Sequence, residues 1–261
     1  MKGDTTSYLL PLWVREPFMP ISDVTYWPVY ALSTAIGQDA DQIVYLFCIL
    51  MSFVACLILG QIDSVPMRKT WSTLTGFLIG SYFYGLNFSF NIAYIFVNYL
   101  FMLCLERHLA AKLMTIWSGT CLFLASINHF YLSGNEDGNW DIDLIFMMNF
   151  IKFHMMAVNY SNAGLLDDPV KGKDLTTRER YFAEPLRQQI SLVEFFNYYL
   201  FCGSSWTGMS HEYRWYEEFI NRKGDYANIP KDKLLAPFLE RSFQWLLCLL
   251  TMVGLGQFFN Y

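Results

Sequence analysis

The stretch Trp71–Leu105 carries no charged residue at all. Read as one helix it would run roughly 50 Å at ~1.5 Å per residue, too long for a single crossing of a ~30 Å hydrocarbon core. Gly85-Leu86-Asn87-Phe88-Ser89 is the natural break, which makes two antiparallel apolar helices joined by a tight turn. A chain containing such a hairpin folds either around a very large core or inside a bilayer.

Composition favours the bilayer. Apolar residues make up 54% of the chain, aromatics 18% and charged residues only 16%, against ~25% charged in a soluble domain. The apolar residues come in long uncharged blocks, as in a polytopic membrane protein. A formal net charge of -5 argues against a nucleic-acid partner, which needs a basic face. Cys48, Cys56, Cys104, Cys121, Cys202 and Cys248 all lie in apolar blocks with no CxxC spacing, so they read as small buried hydrophobes rather than disulfides or zinc ligands.

The fold class that follows is all-α, a transmembrane helix bundle with about six or seven membrane segments over 42–261. Residues 1–41 lack the pattern of a signal peptide: Asp4 follows Lys2, and Pro11 interrupts the apolar run before Arg15-Glu16. Their mixture of Trp, Tyr and Pro suits an interfacial segment, and an ordinary packed tail is equally open. Ile43–Gly60 is the first span. The Trp71–Leu105 hairpin follows, with Asn87, Asn91 and Asn98 requiring partners inside the bundle. The next span is about Leu113–Leu132, with the buried polar candidates Asn128 and His129 near its far end. Leu144–Tyr160 carries two more, Lys152 and His154; it reads as a buried, tilted or half-crossing helix. Ser161–Gln188 is a solvent-facing loop with room for a short helix, and Phe243–Phe259 is the last span.

The remaining stretch, 189–219, organises the rest. Ser191 with Glu194 three residues on reads as a capping box before an apolar aromatic run. That run breaks at Gly203, Ser204, Ser205 and Gly208, small residues that let backbones approach closely. It ends in a charged aromatic patch. Alternating spans put Arg68/Lys69, Arg107/Lys112 and the 171–187 cluster on one side, read as cytosolic or matrix. The basic 214–233 loop breaks this alternation, so either 190–207 re-enters without crossing or an earlier segment does not cross.

No histidine declares a catalytic site by spacing. His108 beside Arg107 reads as interfacial surface. His129 next to Asn128 is a functional candidate or a satisfied polar pair. His154 follows Lys152 by two residues and so faces another side of its helix, without a metal partner. His211-Glu212 lacks the second histidine of a zinc helix. No metal site and no cofactor is expected.

Three places resemble the membrane-bound O-acyltransferase family, specifically its lysophospholipid acyltransferase branch. The first is the small and aromatic span 74–85. The second is the helix over 146–162, running into Ala157-Val158-Asn159-Tyr160-Ser161-Asn162-Ala163-Gly164. The third is Ser191-Leu192-Val193-Glu194-Phe195 followed by Gly208-Met209, Tyr213 and Tyr216. Where the family has Gly-Pro this chain has Gly208-Met209, which relaxes a rigid turn. The resemblance covers roughly 43–260, the N-terminal half of the family's fold. The half that carries the family's catalytic histidine has no counterpart here, so no catalytic residue is assigned. Glu194, Asn197, Trp206, Gly208, His211, Tyr213 and Tyr216 are the candidates for lining a lipid groove.

Two functions compete. The first is a non-catalytic, acyltransferase-like membrane protein that binds phospholipid and packs as a subunit of a larger membrane complex. The alternative is the N-terminal half of an active enzyme moving an acyl group from acyl-CoA, its substrate, to a lysophospholipid. A channel or transporter is disfavoured because intramembrane charge is sparse. The resemblance implies the endoplasmic reticulum membrane, with the mitochondrial inner membrane as alternative.

Overall fold

The computed structural model describes residues 40–84, 88–127, 143–166, 168, 171–204 and 210–227, together with position 31 and scattered positions between 236 and 251. Every regular element among them is helical. The N-terminal segment 1–39 and most of the last expected span lie outside the described residues.

Helix α1 spans Ala40–Gln61 and α2 Val65–Tyr84. Pro66 falls in the first turn of α2, where a missing N–H costs no helical bond. Helix α3, Phe88–Cys104, follows α2 after the expected break. Helix α4, Arg107–Ile127, starts just past α3, and α5 covers Asp143–Leu165. Three short helices follow: α6 at Thr177–Ala183, α7 at Leu192–Tyr199 and α8 at Tyr213–Asn221. Sequential neighbours pack together, α1 on α2, α3 on α4 and α4 along α5, while α7 wedges between α2 and α3.

Apolar side chains fill the core and also cover much of the outside of the bundle. Phe47, Leu50, Met51 and Val54 of α1 and Ile116, Phe123 and Leu124 of α4 point outward. Polar groups point inward. Asn149 Nδ2 donates to Asn91 Oδ1 at 2.5 Å. Ser118 Oγ donates to Asn98 Oδ1 at 3.2 Å, and Asn98 Nδ2 to the Tyr94 carbonyl at 2.9 Å. Hydrocarbon solvates the first set and excludes the second, so this arrangement suits a bilayer.

Two helices among the described residues are long and apolar enough to cross a membrane, Ile43–Gln61 and Arg107–Ile127. Helix α3 is apolar but shorter. Helix α2 begins earlier than the uncharged block and takes Arg68 and Lys69 into its first turns. Helix α7 has 8 residues, about 12 Å at ~1.5 Å per residue, and cannot cross.

Arg68 is the fastening point of this end of the bundle. It is 2% exposed. Its guanidinium donates to the Leu59 and Ile62 carbonyls at the end of α1 (2.9 and 3.2 Å) and to the Phe219 and Ile220 carbonyls at the end of α8 (2.9 and 3.0 Å). These are the orphan acceptors of two helix C-termini, where a cation also meets the negative ends of the helix dipoles. Arg222 ends α8 in the left-handed conformation (φ 52°), which usually falls to glycine. The guanidinium of Arg222 bonds the Gly60 and Ile62 carbonyls at 3.1 and 3.2 Å and Asp63 at 2.8 Å, interactions a glycine could not make.

Candidate functional site

Helix α7 begins as the sequence suggests: the Ser191 hydroxyl accepts from the Glu194 N–H at 3.3 Å. The reciprocal half of the expected capping box is replaced, because the Glu194 carboxylate pairs with Lys69 of α2 instead. A full capping box does occur at Thr176 and Glu179, starting α6. One turn on, Asn197 is buried and its Oδ1 accepts from the Thr73 hydroxyl at 2.6 Å. These two contacts set α7 against α2. Gly76 makes the close approach possible, since a Cβ there would overlap the Leu200 carbonyl oxygen.

The chain then turns, and Tyr198 becomes the centre of an aromatic nest. Its ring lies edge-on to His211 and Tyr213 at 5.4 Å and to Tyr216 at 5.6 Å. Its hydroxyl donates to the His211 carbonyl at 2.6 Å. Burial, then the nearby Glu212 and Tyr213, push the phenol well above its ordinary range, which keeps it a neutral donor. Below it Phe153 stacks on Tyr199 at 4.2 Å, and Phe195 and Tyr94 extend the cluster. Tyr199 Oη and Tyr216 Oη are buried without a hydrogen-bond partner among the described residues.

A lysine amine sits in this apolar setting. Lys152 is 1% exposed. Its Nζ donates to Ser204 Oγ at 2.9 Å and lies 5.5 Å from the centre of the Tyr198 ring. No carboxylate meets it among the described residues, although a buried ammonium ordinarily requires one. Glu194 is committed to Lys69 at a partly exposed position. The carboxylate nearest the nest is Glu212, whose Oε2 accepts from Asn159 Nδ2 at 2.6 Å. Burial raises the Glu212 carboxyl, opposed by the Asn159 bond and by Arg178.

The sequence candidates divide accordingly. His211, Tyr213 and Tyr216 gather around Tyr198, Asn197 faces Thr73 of α2, Glu194 pairs with Lys69, and Lys152 lies against the Tyr198 ring. His154 is a correction: it is exposed, stacking on Phe150 at 6.3 Å, because it lies two residues from Lys152 and so on the opposite face of α5. Trp206, Gly208, Asn128 and His129 lie outside the described residues. Sequence reasoning passed over Tyr198, Ser204 and Glu212. The adjacency of Glu212 to His211 and the run of small residues around Ser204 were the available signals.

Chemically, the nest offers apolar faces, one buried cation and several hydroxyls. His108 Nδ1 lies 3.3 Å from Ser161 Oγ at the surface, with no carboxylate orienting the ring. Among the described residues no group of three or more His, Cys, Asp or Glu side chains could hold a metal ion.

Outward apolar faces, inward polar contacts and two spanning helices define the class, a helical integral membrane protein. The comparisons with known proteins go one step further. The chain is 26% identical over 227 residues to lysophospholipid acyltransferase 2 of Arabidopsis thaliana, a match covering 84% of this chain and 46% of that protein. It is 31% identical over 118 residues to lysophospholipid acyltransferase 1 of the same plant, covering 44% of this chain and 24% of the relative. These matches bear out the resemblance: the chain is an acyltransferase-like membrane protein related to the lysophospholipid acyltransferases of the membrane-bound O-acyltransferase family. It spans about half the length of the fuller match. No family model and no solved structure matches it.

Proposed function

We propose that this chain is the lipid-binding part of an acyltransferase-like membrane assembly, holding a phospholipid or lysophospholipid beside the Tyr198 nest without transferring acyl groups by itself. The observation that carries this reading is the match to about half of a lysophospholipid acyltransferase, extending over most of the chain. The aromatic nest with its buried Lys152 supports the binding role, because phosphate and carbonyl oxygens supply the acceptors that the cation lacks. A further subunit, or a further part of the same polypeptide, supplies the chemistry. The endoplasmic reticulum membrane is the proposed location, after the family.

The relatives' names favour a second reading, in which the chain is one half of an enzyme transferring an acyl group from acyl-CoA to a lysophospholipid hydroxyl. A general base contributes typically ~10²–10⁴-fold in rate, so its presence is measurable. Purified chain 1–261 in nanodiscs, given acyl-CoA and lysophospholipid, is expected to show no turnover. Turnover abolished by one substitution within the chain would overturn the binding-only reading. An intact mass of the native polypeptide well above 30.5 kDa, with turnover by that longer product, would establish the second.

A further inference from the structure

The six cysteines are free, but two of them, 146 residues apart in sequence, meet. Cys56 Sγ of α1 lies 3.8 Å from Cys202 Sγ in the turn after α7. Among the described residues no other two cysteine sulfurs are in contact. We propose that Cys56 and Cys202 are an oxidation site, forming a disulfide that staples α1 to the turn leading into residues 205–209.

The surroundings hold both sulfurs in place without filling the space between them. The Cys202 N–H donates to Ser72 Oγ at 3.4 Å, which fixes the turn on α2. Gly76 lets the Leu200 carbonyl pack directly on the α2 backbone. Gly203 leaves room beside Cys56: a Cβ there would stand 3.0 Å from Cys56 Sγ and 2.8 Å from the Phe201 ring. A disulfide requires the sulfurs to close from 3.8 Å to about 2.0 Å. Cys202 is fully buried and Cys56 half-buried, so Cys56 is the thiol that a small oxidant reaches first.

The oxidant class is a small-molecule disulfide. Cys56 sulfur attacks one of its sulfurs, forming a mixed disulfide and releasing one thiol that carries away the first proton. Cys202 sulfur then attacks the Cys56 sulfur, forming the protein disulfide and releasing the second thiol with the second proton. The two cysteines lose two electrons, and the reagent gains them as its disulfide bond breaks. This inference stands apart from the proposed function, since it needs only the two sulfurs and an oxidant.

The test treats the full chain in membranes with 4,4'-dithiodipyridine, which partitions into bilayers, then blocks remaining thiols with N-ethylmaleimide. Non-reducing digestion and mass spectrometry follow. The expected product is a peptide pair joined through Cys56 and Cys202, absent after dithiothreitol and absent from both C56S and C202S, while C48S and C121S retain it. Recovery of Cys56 and Cys202 only as separate thiopyridyl or maleimide adducts in the unsubstituted chain would overturn the proposal, whatever the variants do. Cross-links joining other cysteines instead would overturn it equally.

Discussion

Lys152 carries the strongest electrostatic demand of any single residue. Its charge is buried against Ser204 and the face of Tyr198. Replacing it with methionine keeps the apolar stem and removes the ammonium, so stability stays within about 1 kcal/mol or rises. Alanine also removes the stem and leaves a cavity, costing ~2–4 kcal/mol. Thermal denaturation of both variants in detergent checks the pair; equal losses for Met and Ala would mean that the charge itself holds the fold. Glu212 gives a pH-dependent counterpart. Its carboxyl is raised by burial, so its contribution is fully present at low pH and is lost as pH rises from the ordinary glutamate range through the raised value. Glu212→Gln keeps an acceptor for Asn159 and does not titrate. The variant's melting temperature, measured against the unsubstituted chain, is expected to gain across that window. A difference that shrinks as pH rises would contradict the assignment.

At the scale of elements, Arg68 makes the most specific claim. Four carbonyls from the ends of α1 and α8 converge on it. Arg68→Met removes all four bonds together with the cation at the two helix ends and is expected to cost about 3 kcal/mol. Arg68→Lys supplies a point charge without the planar fork and recovers less than half of that. Chemical denaturation of the two variants checks the order, and a lysine variant as stable as the arginine would refute the fork's role. The hairpin break was legible, because an uncharged run of that length cannot cross once: α2 ends at Tyr84 and α3 starts at Phe88. The first span was legible for the same reason. The start of α2 was not, because charges at 68 and 69 look like a loop when two of their partners, the end of α8 and Glu194, are distant in sequence. The apolar run of α7 continues past its helix, which stops at Tyr199, because Leu200–Ser204 fold back against Gly76 and Cys56. Period alone does not register such a turn. Conversely, the Thr176–Glu179 capping box was available in the sequence, and its pattern matches the structure.

For the whole molecule, the expectation from composition was a bundle of many spans, and the described residues give two helices that meet the length and apolarity of a crossing. Polar side chains serve the interior in pairs: Asn91 and Asn149, Asn98 and Ser118, Lys152 and Ser204. A hydropathy pattern penalises those residues, whereas the folded bundle pairs them. The site was legible in part for a related reason. His211, Tyr213 and Tyr216 stood out by type and spacing, while Tyr198 was one aromatic among many and became central only through tertiary contact. The central claim is that this nest holds a lipid. Native mass spectrometry of the chain released from nanodiscs of mixed phospholipids tests it most directly. The account predicts one phospholipid or lysophospholipid retained per chain, with retention reduced at least tenfold, about 1.4 kcal/mol, in Lys152→Met. A bare chain, or equal retention by both proteins, would contradict it.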